Sequence, residues 1–327
     1  MEKILNKIWY NKLNLISLIL TPFSLVFYLV IKIRKALYKL KILKTHEFAT
    51  PIIIIGNLTV GGTGKTPLTI WLCNYLLKKG LKVGIVSSGY KSEAKNPQLV
   101  KDDAAVEKFG DEAILIYKKT KVPVITGGNR INATKKMENE NNLDLIIHDD
   151  GLQHYALHRN LEILVIDQKR KLGNEFLLPA GPLREPKERL KSVDLVVRNN
   201  SKDTRIPSIE TNNNIIYPET SEITSLDKFA NTTIHLVAGI GSTEGIKSEL
   251  EQHKIKYIMH IYPDHYNYTG KEILFNDNFP IFTTEKDFVK LSMYNKKLWV
   301  LQLSITPNKK FLNNLDIFVK EIIKNES

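Results

Sequence analysis

The chain has 327 residues, 43% hydrophobic and 25% charged, which leaves room for about two domains at roughly 150 residues each and excludes collagen-like, coiled-coil and low-complexity classes. Its one cysteine, Cys73, can form no internal disulfide and no cysteine zinc cluster, so a stapled secreted scaffold is excluded and a reducing compartment is expected. The formal net charge is +12, yet residues 1–50 carry nine Lys/Arg against only Glu2 and Glu47; a nucleic-acid binder would spread such an excess over a folded face.

The first element is Leu15 to Ile31, LISLILTPFSLVFYLVI, which carries no charge. It is flanked by Lys3, Lys7 and Lys12 before and by Lys32, Arg34, Lys35, Lys39, Lys41 and Lys44 after. Its 17 residues reach about 26 Å as a helix, just short of the roughly 30 Å hydrocarbon layer, and Pro22 interrupts the middle. An apolar stretch with basic rims suits an anionic lipid surface, so residues 1–48 are expected to form a membrane-associated helical segment, peripheral or single-pass. No small-residue cleavage site follows, which argues for retention. The alternative is an amphipathic helix buried against the main domain.

From residue 51 onward, short aliphatic runs alternate with glycine turns and helical stretches, the pattern of a doubly wound, mostly parallel α/β sheet. Pro51 to Ile55, Lys82 to Val86, Val122 to Thr126, Leu143 to Ile147, Leu161 to Ile166 and Asp194 to Val197 read as strands buried on both faces. Residues 199–231, rich in Asn, Ser, Thr and Pro, read as linker and crossover. A second set of strands, Ile234 to Ala238, Tyr257 to Ile261, Ile281 to Thr283 and Leu298 to Leu303, reads as a smaller α/β domain. The expected division is 49–220 for the larger, doubly wound domain and 221–327 for the smaller one.

Directly after the first strand comes GNLTVGGTGKTP, residues 56–67, and then a helix with Pro67 in its first turn and Gly80 as its stop. Glycines let several backbone N–H groups converge on one phosphate while the helix N-terminus adds its dipole. Thr59, Val60, Gly61, Gly62, Thr63, Gly64, Lys65 and Thr66 form this loop. Thr59 occupies the position where the G-x-x-x-x-G-K-S/T pattern has its first glycine. Lys65 would reach the β- and γ-phosphates and the Thr66 hydroxyl would ligate magnesium. LDLIIHDDG ends another buried strand with Asp149 and Asp150, adjacent carboxylates that repel unless a cation lies between them and the phosphates. A bound nucleoside triphosphate and Mg2+ are therefore expected, with Thr66 and Asp150 as the metal ligands.

Four further clusters carry chemistry: Asp111 and Glu112 in FGDEA, Arg130 in GGNR, Arg184 and Glu185 in LPAGPLREP, and Asp264 and His265 in YPDHYNYT. Taken singly, each has a structural reading as a helix cap, a solvated arginine or a loop histidine. Together with GNLTVGGTGKTP, DDGLQH and TTEKD (residues 283–287), in this order and after an apolar N-terminal segment, the chain resembles the tetraacyldisaccharide 4'-kinase, or lipid A 4'-kinase, family over nearly its whole length.

The resemblance implies transfer of the γ-phosphate of ATP, with magnesium, to the 4'-hydroxyl of a tetraacylated disaccharide 1-phosphate at the cytoplasmic face of the inner membrane, giving lipid IVA. It implies that Thr63, Lys65 and Thr66 hold phosphates and magnesium, with Asp149 and Asp150 in the acidic position. Glu112, Gln153 and His154 fall on the substrate side. Asp111 becomes the base for the 4'-hydroxyl, assisted by His265, a pairing that suits proton removal near neutral pH. Arg130 and Arg184 suit the acceptor's 1-phosphate or the charge on the transferring group. Two positions depart from the family pattern: Ser87, Ser88, Gly89 and Tyr90 stand where S-R-G-Y is common, leaving Tyr90, Lys91 or Lys95 to compensate, and Tyr266 follows PDH where a second histidine is common.

The acceptor lipid and the membrane are the partners implied, with no nucleic acid and no obligatory protein partner. A membrane-associated regulatory ATPase of the partitioning or division-site type is the rival reading. Such proteins need a lysine immediately before the paired glycines, and Val60 stands there.

Overall fold

The computed structural model describes residues 8–10, 14–88, 96–102, 106–217, 222–239, 244–263, 266–295 and 297–324. Asp264 and His265 lie outside them, as do Gly89, Tyr90, Lys91 and Lys95 of the second loop and Lys3, Lys7 and Lys12 at the start.

In chain order the elements are α1 (Leu15–Lys39), β1 (Ile52–Gly56), α2 (Lys65–Lys78), β2 (Val83–Val86), β3 (Gln98–Leu99), α3 (Val106–Phe109), α4 (Asp111–Thr120), β4 (Val124–Thr126), α5 (Arg130–Glu140), β5 (Leu145–Asp149), β6 (Leu161–Asp167), β7 (Leu195–Asn199), β8 (Ser208–Tyr217), β9 (Glu222–Thr224), β10 (Thr233–Ala238), α6 (Glu244–Gln252), β11 (Lys256–Ile261), β12 (Ile281–Thr284), α7 (Glu285–Leu291), β13 (Trp299–Pro307) and α8 (Lys309–Lys324).

The strands form one sheet in the order β11-β10-β12-β13-β8-β7-β6-β1-β5-β2-β4-β3, with β9 on β8. Every adjacent pair from β8 through β4 is parallel, as are the pairs from β11 to β13. The centre is β1, buried at all five positions. Ile53 and Ile55 enter one core and Ile52 and Ile54 the other, because successive side chains of a strand leave opposite faces and helices cover both. Packed on the first face, α2 supplies Leu68, Leu72, Cys73 and Leu76.

The expected linker behaves differently. Within it β8 pairs parallel with β7 on one side and antiparallel with β13 on the other, with registers running from Val300 with Ile216 to Pro307 with Ile209. Its composition hid the strand, because ETNNN puts Asn and Thr on a half-exposed ladder whose pairing partner is ninety residues away in sequence. The last helix also crosses back. Phe311, Leu315, Val319 and Ile322 of α8 complete the core that β1 and α2 build, and Tyr75 of α2 donates to Asp316 of α8 at 2.7 Å.

α1 docks through one stripe only. Ser17, Ser24 and Ile31 are its buried residues, and their seven-residue spacing returns to the same face after two turns. Asn174 donates to Ser17 Oγ (3.1 Å), Ser24 Oγ donates to the Leu177 carbonyl (2.8 Å), and the Ala180 N–H donates to Ser24 Oγ (3.0 Å). The remaining faces present Leu18, Ile19, Phe23, Val26, Leu29, Val30 and Ile33 to the exterior. Among the described residues this is the one helix long and apolar enough to cross a membrane, by length and composition.

Candidate active site

The phosphate loop leaves the carboxyl end of β1, where open parallel sheets place their ligands. Gly61 (φ +102°) and Gly64 (φ +94°) sit in the left-handed region, and Gly64 opens α2 as its cap. A Cβ on Gly64 would also lie 2.6 Å from Asn199 Nδ2. That amide, at the end of β7, donates to the Thr63 carbonyl (3.1 Å) while its Oδ1 accepts from Thr211 (2.7 Å), so β7 and β8 brace the loop. On the other side LPAGPLREP supports it through backbone bonds. Val60 N–H donates to Pro182 O (2.9 Å) and Arg184 N–H to Leu58 O (2.6 Å).

At the start of α2, Thr66 Oγ1 donates to Asp149 Oδ2 (3.3 Å) and Thr69 Oγ1 to Asp149 Oδ1 (2.9 Å). Asp149 is buried at the end of β5, and burial followed by the neighbouring Asp150 charge pushes its carboxyl up, against the pull of Lys65. Asp150 is the opposite case. Burial also raises it, but Lys65 (Nζ to Oδ2 3.7 Å) and Arg184 (2.8 and 3.2 Å) overcome that and hold the carboxyl down at about 2. Of the expected metal pair, Thr66 is hydrogen-bonded to the neighbouring Asp149, whereas the left-handed turn at Asp150 (φ +54°) directs that carboxylate to Arg184 and Lys65.

Arg130 departs from its expected place on the substrate side. It is buried, and its guanidinium donates to the carbonyls of Asp149 (2.8 Å), Asp150 (3.1 Å) and Val86 (3.4 Å). A guanidinium with its donors turned to strand-end carbonyls fixes the turn that aims both carboxylates. Beside it His148 is held neutral, its pKa driven well down by burial and then by Arg130. His154 is also pushed down, to about 4, by burial, Arg130 and Arg34. Gln153 donates to the Asn57 carbonyl (3.2 Å) and to Glu185 (3.1 Å), which makes it a brace of the loop.

Asp111 and Glu112 open α4 after Gly110. Asp111 is buried, and Oδ2 lies 3.0 Å from Lys290 Nζ and 3.9 Å from Lys286 Nζ, so α7 of the C-terminal half reaches the site through the TTEKD segment. There Thr284 caps α7, and Asp287 accepts from the Gly239 N–H (3.0 Å) and Tyr268 OH (2.9 Å). Glu112 has a different environment. Burial, reinforced by the Asp149 charge and opposed by Lys286, raises its pKa from 4.5 to about 7.

Sequence reasoning missed Asn57, Thr69, Asn199 and Lys290 as site residues. Thr69 was legible, one helical turn beyond Thr66 on the same face. Asn199 and Lys290 were not, because only the sheet and the α4–α7 contact bring them near.

A glycine loop feeding a helix, a lysine and a threonine at its start, and a strand-end aspartate on that threonine define a P-loop protein that handles nucleoside triphosphates. The chain matches the family described as Tetraacyldisaccharide-1-P 4'-kinase over residues 16–320. Similar proteins named tetraacyldisaccharide 4'-kinase come from Ruthia magnifica, at 42% identity over 309 residues, with 94% of this chain and 98% of that protein covered, and from Nitrosococcus oceani, at 39% identity, with 88% and 86% covered. A crystal structure of "apo" form LpxK from Aquifex aeolicus in complex with ATP aligns with TM-score 0.80 and 28% identity, covering 94% of this chain and 100% of that one. The chain belongs to the tetraacyldisaccharide-1-P 4'-kinase family.

Proposed function

We propose that the protein is an ATP-dependent kinase of lipid A biosynthesis, transferring the γ-phosphoryl group of ATP to the 4'-hydroxyl of tetraacyldisaccharide 1-phosphate. The observation that carries this reading is the convergence of Lys65, the Thr66–Asp149 pair and the Asp111–Glu112 edge of α4 on one sheet end. The loop N–H groups and Lys65 take the triphosphate. The acceptor oxygen forms its bond to the γ-phosphorus as the bond to the ADP oxygen breaks, and the acceptor proton passes to a carboxylate of the α4 edge. Asp111 is the candidate base, oriented by Lys286 and Lys290. Glu112, with its pKa near neutrality, is a second carboxylate suited to the same proton.

Magnesium fits this donor set, since Thr66 Oγ1 and Asp149 are hard oxygens already in contact and Thr63 Oγ1 is buried with no hydrogen-bond partner among the described residues. Thr66 and Asp149 would hold it, and it would neutralise charge on the β- and γ-phosphates. Arg184 offsets the Asp150 charge and leaves the loop with cationic character.

The acceptor's acyl chains place the reaction at a lipid surface, here assigned to the cytoplasmic face of the inner membrane, where ATP is available. The docked stripe of α1 runs from Ser17 to Ile31, about 21 Å along the axis. Crossing a bilayer would carry the polar groups of residues 174–180 with it, a cost of several kcal/mol per unsatisfied group. An interfacial helix avoids that cost. The double substitution Phe23→Asp/Val26→Asp is expected to lower cosedimentation with anionic vesicles at least tenfold while leaving ATP binding intact. Unchanged cosedimentation would exclude α1 as the anchor.

The test of the kinase reading supplies purified protein with ATP, magnesium, detergent and tetraacyldisaccharide 1-phosphate. A product heavier by one phosphate, absent with Lys65→Ala and with Asp111→Ala, supports it. ATP hydrolysis indifferent to the lipid, with no such product, would favour the regulatory ATPase.

A further inference from the structure

Glu185 is a buried carboxylate that the transfer chemistry does not use. Its Oε2 lies 2.8 Å from Lys35 Nζ on α1 and also accepts from Tyr155 OH, with Arg189 Nε at 3.5 Å. Its Oε1 accepts from Gln153 Nε2 at 3.1 Å. The same Gln153 amide donates to the Asn57 carbonyl (3.2 Å), and Asn57 Nδ2 donates to the Gly61 carbonyl (3.3 Å). A continuous polar path thus runs Lys35–Glu185–Gln153–Asn57–Gly61, from the apolar helix into the phosphate loop. A second branch leaves through the backbone, since Arg184, the residue before Glu185, donates to Asn57 O (3.0 Å) and to both oxygens of Asp150.

We propose that Lys35 is a positioning residue that ties the seating of α1 on the lipid surface to the geometry of the phosphate loop and Asp150 through Glu185. This rests on the kinase reading above. Lys35 is placed for the role by what it leaves to others. Tyr155, Gln153 and Arg189 satisfy Glu185 without it, so the lysine is not needed to compensate a buried charge. Its side chain is 31% exposed against 2% for Glu185, so it reaches inward from the lipid-facing helix. Lys32 lies over Tyr28, Arg34 over Tyr38 and Tyr155, and Lys35 itself over Tyr155 at 5.3 Å, but of these three it is Lys35 that adds an ion pair to Glu185. A contiguous hydrogen-bonded chain of this kind is a physical route for coupling, and the coupling itself is what the double variant below measures.

The test compares wild type, Lys35→Met, Lys35→Arg, Glu185→Gln and the Lys35→Met/Glu185→Gln double variant on acceptor in anionic vesicles, with thermal unfolding and vesicle cosedimentation measured beside turnover. The tie predicts that Lys35→Met lowers kcat about tenfold, a typical size for coupling between contacting groups. The KM for acceptor and vesicle binding should stay within about twofold, Lys35→Arg should restore kcat, and Lys35→Met should add no further loss in the Glu185→Gln background. An unchanged kcat, a loss confined to KM or vesicle binding, or losses that multiply in the double variant would overturn it. A wild type that forms no phosphorylated product would sink the kinase reading itself, and the tie with it.

Discussion

Asp149→Asn is expected to lower kcat about a thousandfold, on the scale of removing a principal electrostatic contact to a transition state, while the fold survives. Two hydroxyl groups, those of Thr66 and Thr69, donate to the two oxygens of this carboxylate. An asparagine can accept only one of those bonds and turns a donor toward the other, so it misaligns Thr66 as well as removing a negative charge. Both changes fall on the pair assigned to magnesium. The measurement is ATP affinity with and without magnesium, beside turnover. Wild type should bind ATP more tightly when magnesium is added, and the variant should lose that increment. Asp150→Asn should retain most of it, because Asp150 faces Arg184 and Lys65 and not Thr66. Equal loss in both variants would return Asp150 to the metal.

Glu112→Gln is expected to make the protein more stable and less active. The Glu112 carboxyl rises from 4.5 to about 7 on folding because burial and the Asp149 charge disfavour its ionised form. A group with a raised folded pKa contributes stability that is complete below about pH 4.5 and is lost as pH rises through 7. Each pKa unit corresponds to about 1.4 kcal/mol, so above pH 7 the ionised carboxylate costs on the order of 3 kcal/mol in the nucleotide-free protein. Glutamine removes that cost, and thermal unfolding at pH 8 should show a higher midpoint for the variant, with the difference vanishing toward pH 4.

Activity moves the other way. The deprotonated form is the one that can accept the acceptor's proton, so wild-type kcat/KM should rise with pH and reach half its plateau near pH 7. Glu112→Gln should lose this limb and about a hundredfold in rate, the lower range for a general base. An unchanged pH profile would leave Asp111 as the base and Glu112 without a proton-transfer role. Stability gained at the expense of rate is the pattern of a carboxylate held in a half-buried, unfavourable place for function.

Much of this was legible in the chain. Local patterns set the strands of the first half, since β1, β5 and β6 are covered on both faces and so read as continuous apolar runs. The phosphate loop was legible because glycine, lysine and threonine at the strand-to-helix junction are required by backbone geometry and not by distant contacts. The exposed apolar helix was legible from the absence of charge between Leu15 and Ile31.

What failed to read depended on long-range pairing. The polar segment ETNNN looked like linker and became the strand that joins the two halves of the sheet. Which aspartate meets Thr66 could not be decided from two adjacent identical residues; the left-handed turn at Asp150, fixed by buried Arg130, decided it. Arg130 and Arg184 are alike as sequence signals, yet one is consumed by strand-end carbonyls and the other grips the Asp150 carboxylate. The amino-acid sequence by itself determined the fold class, the triphosphate loop and the apolar helix, because periodicity and local backbone chemistry act over a few residues. The tertiary structure alone decided the partners of Asp111, Glu112, Asp149 and Glu185, because burial and charge at those carboxylates come from helices and loops that the chain brings together only when folded.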